Sequence, residues 1–578
     1  MTRASTNPAH REPAHRESAL SDSALPDSAL SHSERRGSAW TVLRRPLSGP
    51  VDLEVLFPLL FTKPGRRVWL DSSGPGAGSG RYSVMGEASD HAGARFTYRL
   101  GDPGVRVERF TTGQVDVIAG GVLEVLADEL ARIATPAQDL PFTGGLVGWF
   151  GYELKADLGF PPLTGSQTRN EVAQTGARRV APPDADWLLI DRFVVLDHEL
   201  ERAELVALVP VGPLDPTDPS NTDPNNPDPS NPAHSAALAW FELAEQVCRR
   251  AVPATRSVSS GAPRRAPGPA DVQLAQAAMR RSREDYLAGV RAAIAALEAG
   301  ESYEICVTDT ARLPFDGSPF ELYRALRAAN PAPYAAYLEL GDVCVLSASP
   351  ERFLHVDAGG RVETRPIKGT AAREADPRRD AAAAHALRTD AKTRAENLIV
   401  VDLLRNDLHR ACVPGSVATP RLLEVETYPS VHQLVSTVQG QLLPGLGPLD
   451  AVRTCFPGGS MTGAPKRRTC ELIEEIEGAP RGIYSGALGY LSSSGAADLA
   501  IVIRTAVVHD GEVSVGAGGG IVLDSDPEAE YAEMLLKACA TLRVVAGHQV
   551  SAGHHAAHHG EAPAGAGPGQ VSGVASAE

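Results

Sequence analysis

Lys368 stands in the segment RPIKGT, a turn bounded by proline and glycine directly after a strand, with Thr370 two residues on. A lysine in such a loop is ordinarily a solvated surface charge; it becomes a nucleophile only where burial or a nearby cation lowers its pKa and leaves it partly neutral. Seventeen residues earlier, SASPERF ends a strand on Glu351, which is either a partner for a cation such as Arg352 or a general acid. Two acidic helices supply further groups. In the first, Asp526 suits the N-cap, Pro527 suits the first helical position, and Glu530, Glu533 and Lys537 follow at i, i+3 and i+7, on one face. In the second, DAKTRAENLIVVDLLRNDLHR, Asp390 is the cap and Glu396, Asp402 and Asp407 lie along the helix. One or two carboxylates from each helix would be hard oxygen ligands of the kind that hold a magnesium ion whose other partners are water and an anionic substrate. Spacing predicts the two helices without showing that they meet.

Two glycine-rich loops invite a nucleotide reading and both fail it. In GGSMTGAPK, Ala464 and Pro465 separate Gly463 from Lys466, so the element that cradles phosphate is missing. The run GAGGGI has Gly516 and Gly518 but Ile521 where a dinucleotide loop needs a third glycine. Its glycines, just before the first acidic helix, suit backbone that approaches a ligand closely.

The elements that must position these groups are legible from periodicity. Tyr286, Val290, Ile294 and Leu297 recur at helical spacing after a Ser282 cap, and Gly300 closes that helix before a strand at about Tyr303. Strands are expected at YAAYLEL, VCVLSASP, RFLHVDAGGRVETRP (a hairpin around Gly359 and Gly360), GALGYLS, LAIVIRTAVVHDGEVSVGAG and GGIVLD. Helices are expected near 378–411, 464–476 and 527–544, the first with Leu398, Val401, Leu404, Leu408 and Cys412 as its core stripe. Hairpins with helices set among them point to an α/β (α+β) unit on largely antiparallel sheets, not to a Rossmann alternation.

The chain of 578 residues is longer than one average domain needs, and its 45 prolines and 55 glycines place part of it in linkers. Residues 1–38 repeat PAHRE and DSAL and are excluded from the fold as a disordered extension. An N-terminal segment then covers 39–250, with a disordered Pro/Asn-rich insert at about 211–235. A linker spans 251–281, a catalytic domain 282–545, and a disordered Ala/Gly/His-rich tail 546–578. The balance of 55 basic against 71 acidic residues, a net charge of -16, opposes nucleic acid and anionic lipid as partners. No stretch has the apolar length of a membrane span, and the first residues lack a secretory apolar segment, so the expected location is cytoplasmic. Seven cysteines without a CxxC pair suit reduced, buried thiols.

Taken together, the segments ESYEICV, ASPERF, RPIKGT, RAENLIVVDLLRND, VHQLVSTV, FPGGSMTGAPK, IYSGALGYLS, IVIRT, GAGGGIVLDSDPEAEYAE and LLKA resemble, in order, the chorismate-utilising enzymes. The match spans about 282–545, and VWLDSS, GRYSVMG and GGLVGWFGYE resemble that family's first segment. The resemblance implies an anthranilate synthase component I-like fold: two packed antiparallel sheets flanked by helices, with a cleft at one side. Lys368 in the PIxGT turn is the feature of the aminodeoxychorismate synthases of the lysine-bearing type, where anthranilate synthases usually have Ala. Glu304 stands where the salicylate and isochorismate enzymes carry a lysine base.

The implied reaction replaces the 4-hydroxyl of chorismate by an amine to give 4-amino-4-deoxychorismate, for 4-aminobenzoate and folate synthesis. By that resemblance Glu351 protonates the departing hydroxyl and Lys368 adds covalently at C2. Mg2+ sits on Glu396 and Glu533 with Glu530 nearby, and Arg504 clamps the enolpyruvyl carboxylate. Tyr484, Thr370, Lys537 and the backbone at Gly516, Gly518 and Gly519 line the pocket, and His432 lies beside the ring. Thr393 stands where the family often has an acidic residue. The chain lacks the GxCxG segment of glutamine amidotransferases, which implies a partner glutaminase as ammonia source. Ser72, Tyr82, Ser83, Pro331 and Tyr334 resemble the family's tryptophan pocket. The alternatives are an anthranilate synthase component I, or a non-catalytic regulatory subunit that kept the fold.

Overall fold

Strands Arg192–Asp197 and Val343–Ser349 are buried on almost every residue, which requires cover on both of their faces. The computed structural model, which describes residues 40–72, 80–162, 180–211, 231–250, 267–428 and 431–559 (side chains to residue 548), supplies that cover with two large sheets and outer helices. Residues 1–38 of the expected extension lie outside the described residues.

Among the described residues one sheet has eleven strands. It runs from Trp40–Pro46 through Arg202–Pro210, Arg192–Asp197, Tyr82–Glu87, Arg66–Asp71, Tyr334–Leu340, Val343–Ser349, Thr505–His509 and Glu512–Ile521 to Glu304–Pro314 and the short Gly463–Ala464. The other has twelve. Its path starts at Ile367–Ala372 and passes through Val431–Gln441, Arg361–Arg365, Arg352–Val356, Ala497–Ile501 and Ala487–Ser492 to Gly145–Phe150, Ala185–Ile190, Ala94–Tyr98, Gly104–Arg109 and Gln114–Ala119, while Ala418–Thr427 pairs with Val431–Gln441. The pairings are antiparallel, so the expected fold class holds, and strands from both halves of the chain enter both sheets.

Between the sheets lies an apolar layer in which Val68, Phe193 and Leu338 of one meet Trp149, Leu188 and Leu488 of the other. Helices close the outer faces: Arg283–Glu298 and the helix from Pro527 on one side, Val122–Arg132 and Ala391–His409 on the other. Ser282 caps its helix by accepting the Asp285 N–H, as the sequence predicts.

Three boundaries differ from expectation. The long helix near 378–411 is two, Pro377–Thr389 and Ala391–His409, because Asp390 is extended and its carboxylate accepts the Thr393 N–H at 2.8 Å to start the second. Helix Pro269–Ala278 lies inside the expected linker, and the last helix continues to His559, into the expected tail. Leu398, expected in the core stripe, is 42% exposed, while Val401, Leu404, Leu408 and Cys412 are buried as expected and Asn397, Val400 and Leu403 are buried beside them, so the covered face is wider than the stripe.

The strand Glu304–Pro314 lies next to the end of its sheet's path and Ile367–Ala372 at the end of the other's. The functional groups gather between these two ends.

Candidate active site

A cavity of about 570 Å3 is lined by Lys368, Glu351, Thr370, Tyr484, Arg504, Gly516, Gly518, Gly519, Lys537, Glu396, Glu530 and Glu533. These are twelve of the thirteen residues that the sequence placed in the catalytic, substrate-binding and metal sets; His432 is the thirteenth.

His432 does not line the cavity. Its neighbour Gln433 does, because successive side chains of a strand point to opposite faces. His432 is buried with Nδ1 against Thr427 Oγ1 at 2.9 Å and Nε2 against Asp380 Oδ1 at 2.9 Å. It braces the helix Pro377–Thr389 against the sheet rather than facing the cleft. Gln433 was missed because one residue of register decides which face a side chain takes.

Glu351 is almost fully buried beneath the strand Ala497–Ile501, its carbonyl accepting the Ile501 N–H at 3.0 Å. Burial pushes its carboxyl up to about 7, against a hydrogen bond from Ser460 and the positive charge of Lys368. A carboxyl so poised keeps a proton near neutrality and can donate it. Ser460, in the loop FPGGSMTG, is a second cavity residue that the sequence did not single out.

Lys368 carries the main correction. The sequence argument required its pKa to fall; in the structure it rises, since burial opposes the charge but the carboxylates of Glu304 and Glu396 outweigh burial. Lys368 Nζ donates to Glu304 Oε1 in a buried ion pair joining the two sheets.

On the opposite wall, the helix Ala391–His409 brings Glu396 toward Glu530 and Glu533. The Lys392 ammonium lies between them, 3.0 Å from Glu530 Oε1 and 3.8 Å from Glu396 Oε1. Burial first, then the Glu304 and Glu530 carboxylates, raise Glu396 to about 7, although Lys368 and Lys392 oppose this. Glu533 instead pairs with Lys537 at 2.8 Å; burial opposes its charge but Lys537 outweighs it and holds its pKa below the usual value. Among the described residues no group of three or more His, Cys, Asp or Glu side chains converges as a metal cluster, so the expected set of Glu396, Glu530 and Glu533 is not assembled as one shell. Two carboxylates sharing one cation is nevertheless a donor set that suits a hard divalent ion, which commonly takes one or two carboxylates and completes its shell with water and substrate oxygens.

Opposing charges of substrate would meet Arg504, whose backbone is left-handed at φ 51°, and Lys537, whose Nζ donates to the Gly518 carbonyl at 2.9 Å. The Tyr484 ring lies directly on Gly516, where any β-carbon would collide with it. That contact explains why the strand is glycine-rich here.

A second cavity, of about 490 Å3, is lined by Ser72, Tyr82, Tyr334, Pro333, Arg81 and Asp71 among others. Of the residues expected there, Ser83 lies behind the wall, its Oγ accepting the Ser72 N–H at 3.0 Å and touching His198 Nε2 at 2.8 Å; Pro333 takes the place expected for Pro331. Asp71 is already engaged, receiving Arg327 Nε at 2.6 Å and Tyr323 Oη at 3.3 Å.

Comparison with known proteins agrees with this architecture. An aminodeoxychorismate synthase of Streptomyces griseus is 40% identical over 508 residues, covering 87% of this chain and 64% of that protein. The aminodeoxychorismate synthase component 1 of Salmonella typhimurium is 36% identical, covering 71% and 79%, and the anthranilate synthase component 1 of Streptomyces coelicolor is 38% identical, covering 74% and 78%. The chain thus spans less than two thirds of the Streptomyces griseus relative. The crystal structure of anthranilate synthase component I from Streptococcus pneumoniae superposes with a TM-score of 0.60 at 28% identity, covering 80% of this chain and 92% of that one. No helix among the described residues is long and apolar enough to cross a membrane. The profile of the family described as chorismate binding enzyme matches residues 103–543, and with these relatives it shows that the chain belongs to that family.

Proposed function

We propose that the chain aminates chorismate at C4, as the large component of an aminodeoxychorismate synthase. The observation that carries this reading is the approach of a lysine amine, Lys368, and a carboxyl that keeps its proton near neutrality, Glu351, in one cavity. Lys368 adds at C2 while Glu351 gives its proton to the departing 4-hydroxyl. Ammonia then attacks C4 and expels the lysine, so that one difficult displacement becomes two conjugate ones. Arg504 and Lys537 meet the substrate's carboxylates, Arg504 with a planar fork suited to that task. Tyr484, Thr370 and the backbone at Gly516, Gly518 and Gly519 shape the pocket, and Gln433 occupies the place foreseen for His432.

Mg2+ is the metal that the donor set suits. Glu396 and Glu530 would hold it, with Glu533 nearby, and when bound it supplies positive charge against the ring carboxylate. A glutamine amidotransferase supplies the ammonia in this reading, in keeping with the "component 1" of the relatives' names. The cavity by Tyr82 and Tyr334 is the candidate pocket for tryptophan.

The test is product identification by mass spectrometry after incubation with chorismate, Mg2+ and ammonium. The expected product is 4-amino-4-deoxychorismate with no release of pyruvate. Anthranilate with pyruvate would overturn this reading in favour of the anthranilate synthases, to which the chain is also similar.

A further inference from the structure

The same ion pair that keeps Lys368 charged poses a chemical problem. An ammonium has no lone pair, so the amine must lose a proton before it can bond to carbon. The proton needs an acceptor within hydrogen-bond reach, and the group in contact with Nζ is the carboxylate of Glu304.

We propose that Glu304 is the proton acceptor and donor for Lys368, a role that rests on the amination reading above. Three further observations support it. Glu304 is 1% exposed, so the exchange is shielded from bulk water. Its second oxygen, Oε2, is buried with no hydrogen-bond partner among the described residues, so nothing else in the fold claims the carboxylate. Gly520, across the sheet beside Cys306, presses its backbone on the pair: a β-carbon there would collide with Glu304 Oε1 and lie 3.0 Å from Lys368 Nζ. The strand is therefore built to keep the two groups together.

The step balances as follows. Nζ gives one proton to Glu304, and the neutral amine bonds to C2. The ring double bonds shift, and the C4–O bond breaks with a proton from Glu351, releasing water. When ammonia bonds to C4 the C2–N bond breaks, a proton passes from the new amine to Glu351, and the lysine leaves as an amine that takes back its proton from Glu304. Both carboxyls and the lysine return to their starting states. The other charged or titratable groups bearing on the pair are Cys306 on the strand of Glu304, Glu396 and Lys392 on the helix Ala391–His409, and Glu533 and Lys537 on the last helix. Glu351 and Arg504 bear on it from the remaining wall.

The test compares the wild-type chain with Glu304→Gln and Glu304→Asp, using chorismate, Mg2+ and ammonium between pH 6 and 9, with mass spectrometry of the Lys368 peptide after quenching without ammonium. Glu304→Gln is expected to lose about 10²-fold in kcat at pH 7 with little change in KM, and to recover as pH rises and the ammonium, no longer held by a carboxylate, loses its proton before chorismate binds. Its Lys368 adduct forms correspondingly slowly, and Glu304→Asp restores part of the rate. Should Glu304→Gln fold poorly, Glu304→Asp with an unchanged rate and unchanged pH profile is enough to overturn the role. Glu304→Gln with wild-type kcat across the range overturns it too, leaving amination intact. A wild-type chain that yields no aminated product overturns both.

Discussion

His432 and Gln433 are adjacent in the strand Val431–Gln441, yet of the two only Gln433 lines the cavity of Lys368 and Glu351, while both ring nitrogens of His432 are spent on Thr427 and Asp380. The two side chains therefore answer differently to the same truncation. Gln433→Ala is expected to raise KM for chorismate several-fold and leave thermal stability unchanged. His432→Ala is expected to lower the melting temperature by roughly 2–4 °C and keep most of the turnover. Steady-state kinetics and thermal melts on both variants check this; loss of turnover confined to the His432 variant would contradict it.

In its proposed role as acid, Glu351 would set a pH limit. With its carboxyl pushed up to about 7 by burial, turnover is expected to fall as pH rises past that value and the acid loses its proton. Glu351→Gln should cost about 10²–10⁴-fold in kcat and flatten what activity remains. Stability follows the same group. Between its ordinary value of 4.5 and about 7 the folded chain holds a proton that the unfolded chain has released, so stability declines as pH rises through that window. Glu396, also raised to about 7, contributes with the same sign. Denaturant midpoints from pH 4.5 to 8 should show the decline, and Glu351→Gln should make it shallower.

Lys392 lies between the carboxylates proposed to hold Mg2+. A bound divalent ion must displace that ammonium or share its partners. Lys392→Met is therefore expected to bind Mg2+ about tenfold more tightly in the absence of chorismate, measured by titration calorimetry. Dialysis against a chelator should abolish chorismate turnover in the wild-type chain and Mg2+ should restore it.

Gly516→Ala forces a β-carbon into the Tyr484 ring. Overpacking of this kind costs about 1–3 kcal/mol, and the ring that must give way also lines the cavity. The variant should lose both stability in denaturant titration and affinity for chorismate in a binding assay, whereas Gly511→Ala, at a surface turn with open space, should lose only stability.

Much of the site was readable without coordinates. Lys368, Glu351, Glu396, Glu530 and Glu533 each stood in a segment whose local pattern placed it at a strand end or on one helix face, since turn residues, caps and helical spacing are written within a few positions of chain. Two errors concern single residues. One residue of strand register exchanged His432 for Gln433, and Leu398, in the first turns of the helix Ala391–His409, stands exposed although the rest of its stripe is buried.

What sequence alone determined was therefore local: which residues could donate a proton, form a bond or hold a cation, and which elements carry them. Tertiary structure decided the pairings across long separations. Glu304 and Lys368 are 64 residues apart and meet only because two sheets end at one cleft, and Lys392 reaches Glu530 across 138 residues. The charge state of an amine depends on what stands within a few ångströms of it, and burial strengthens that dependence by removing water. Chain spacing shows which groups are present; the packing of the sheets decides which of them meet.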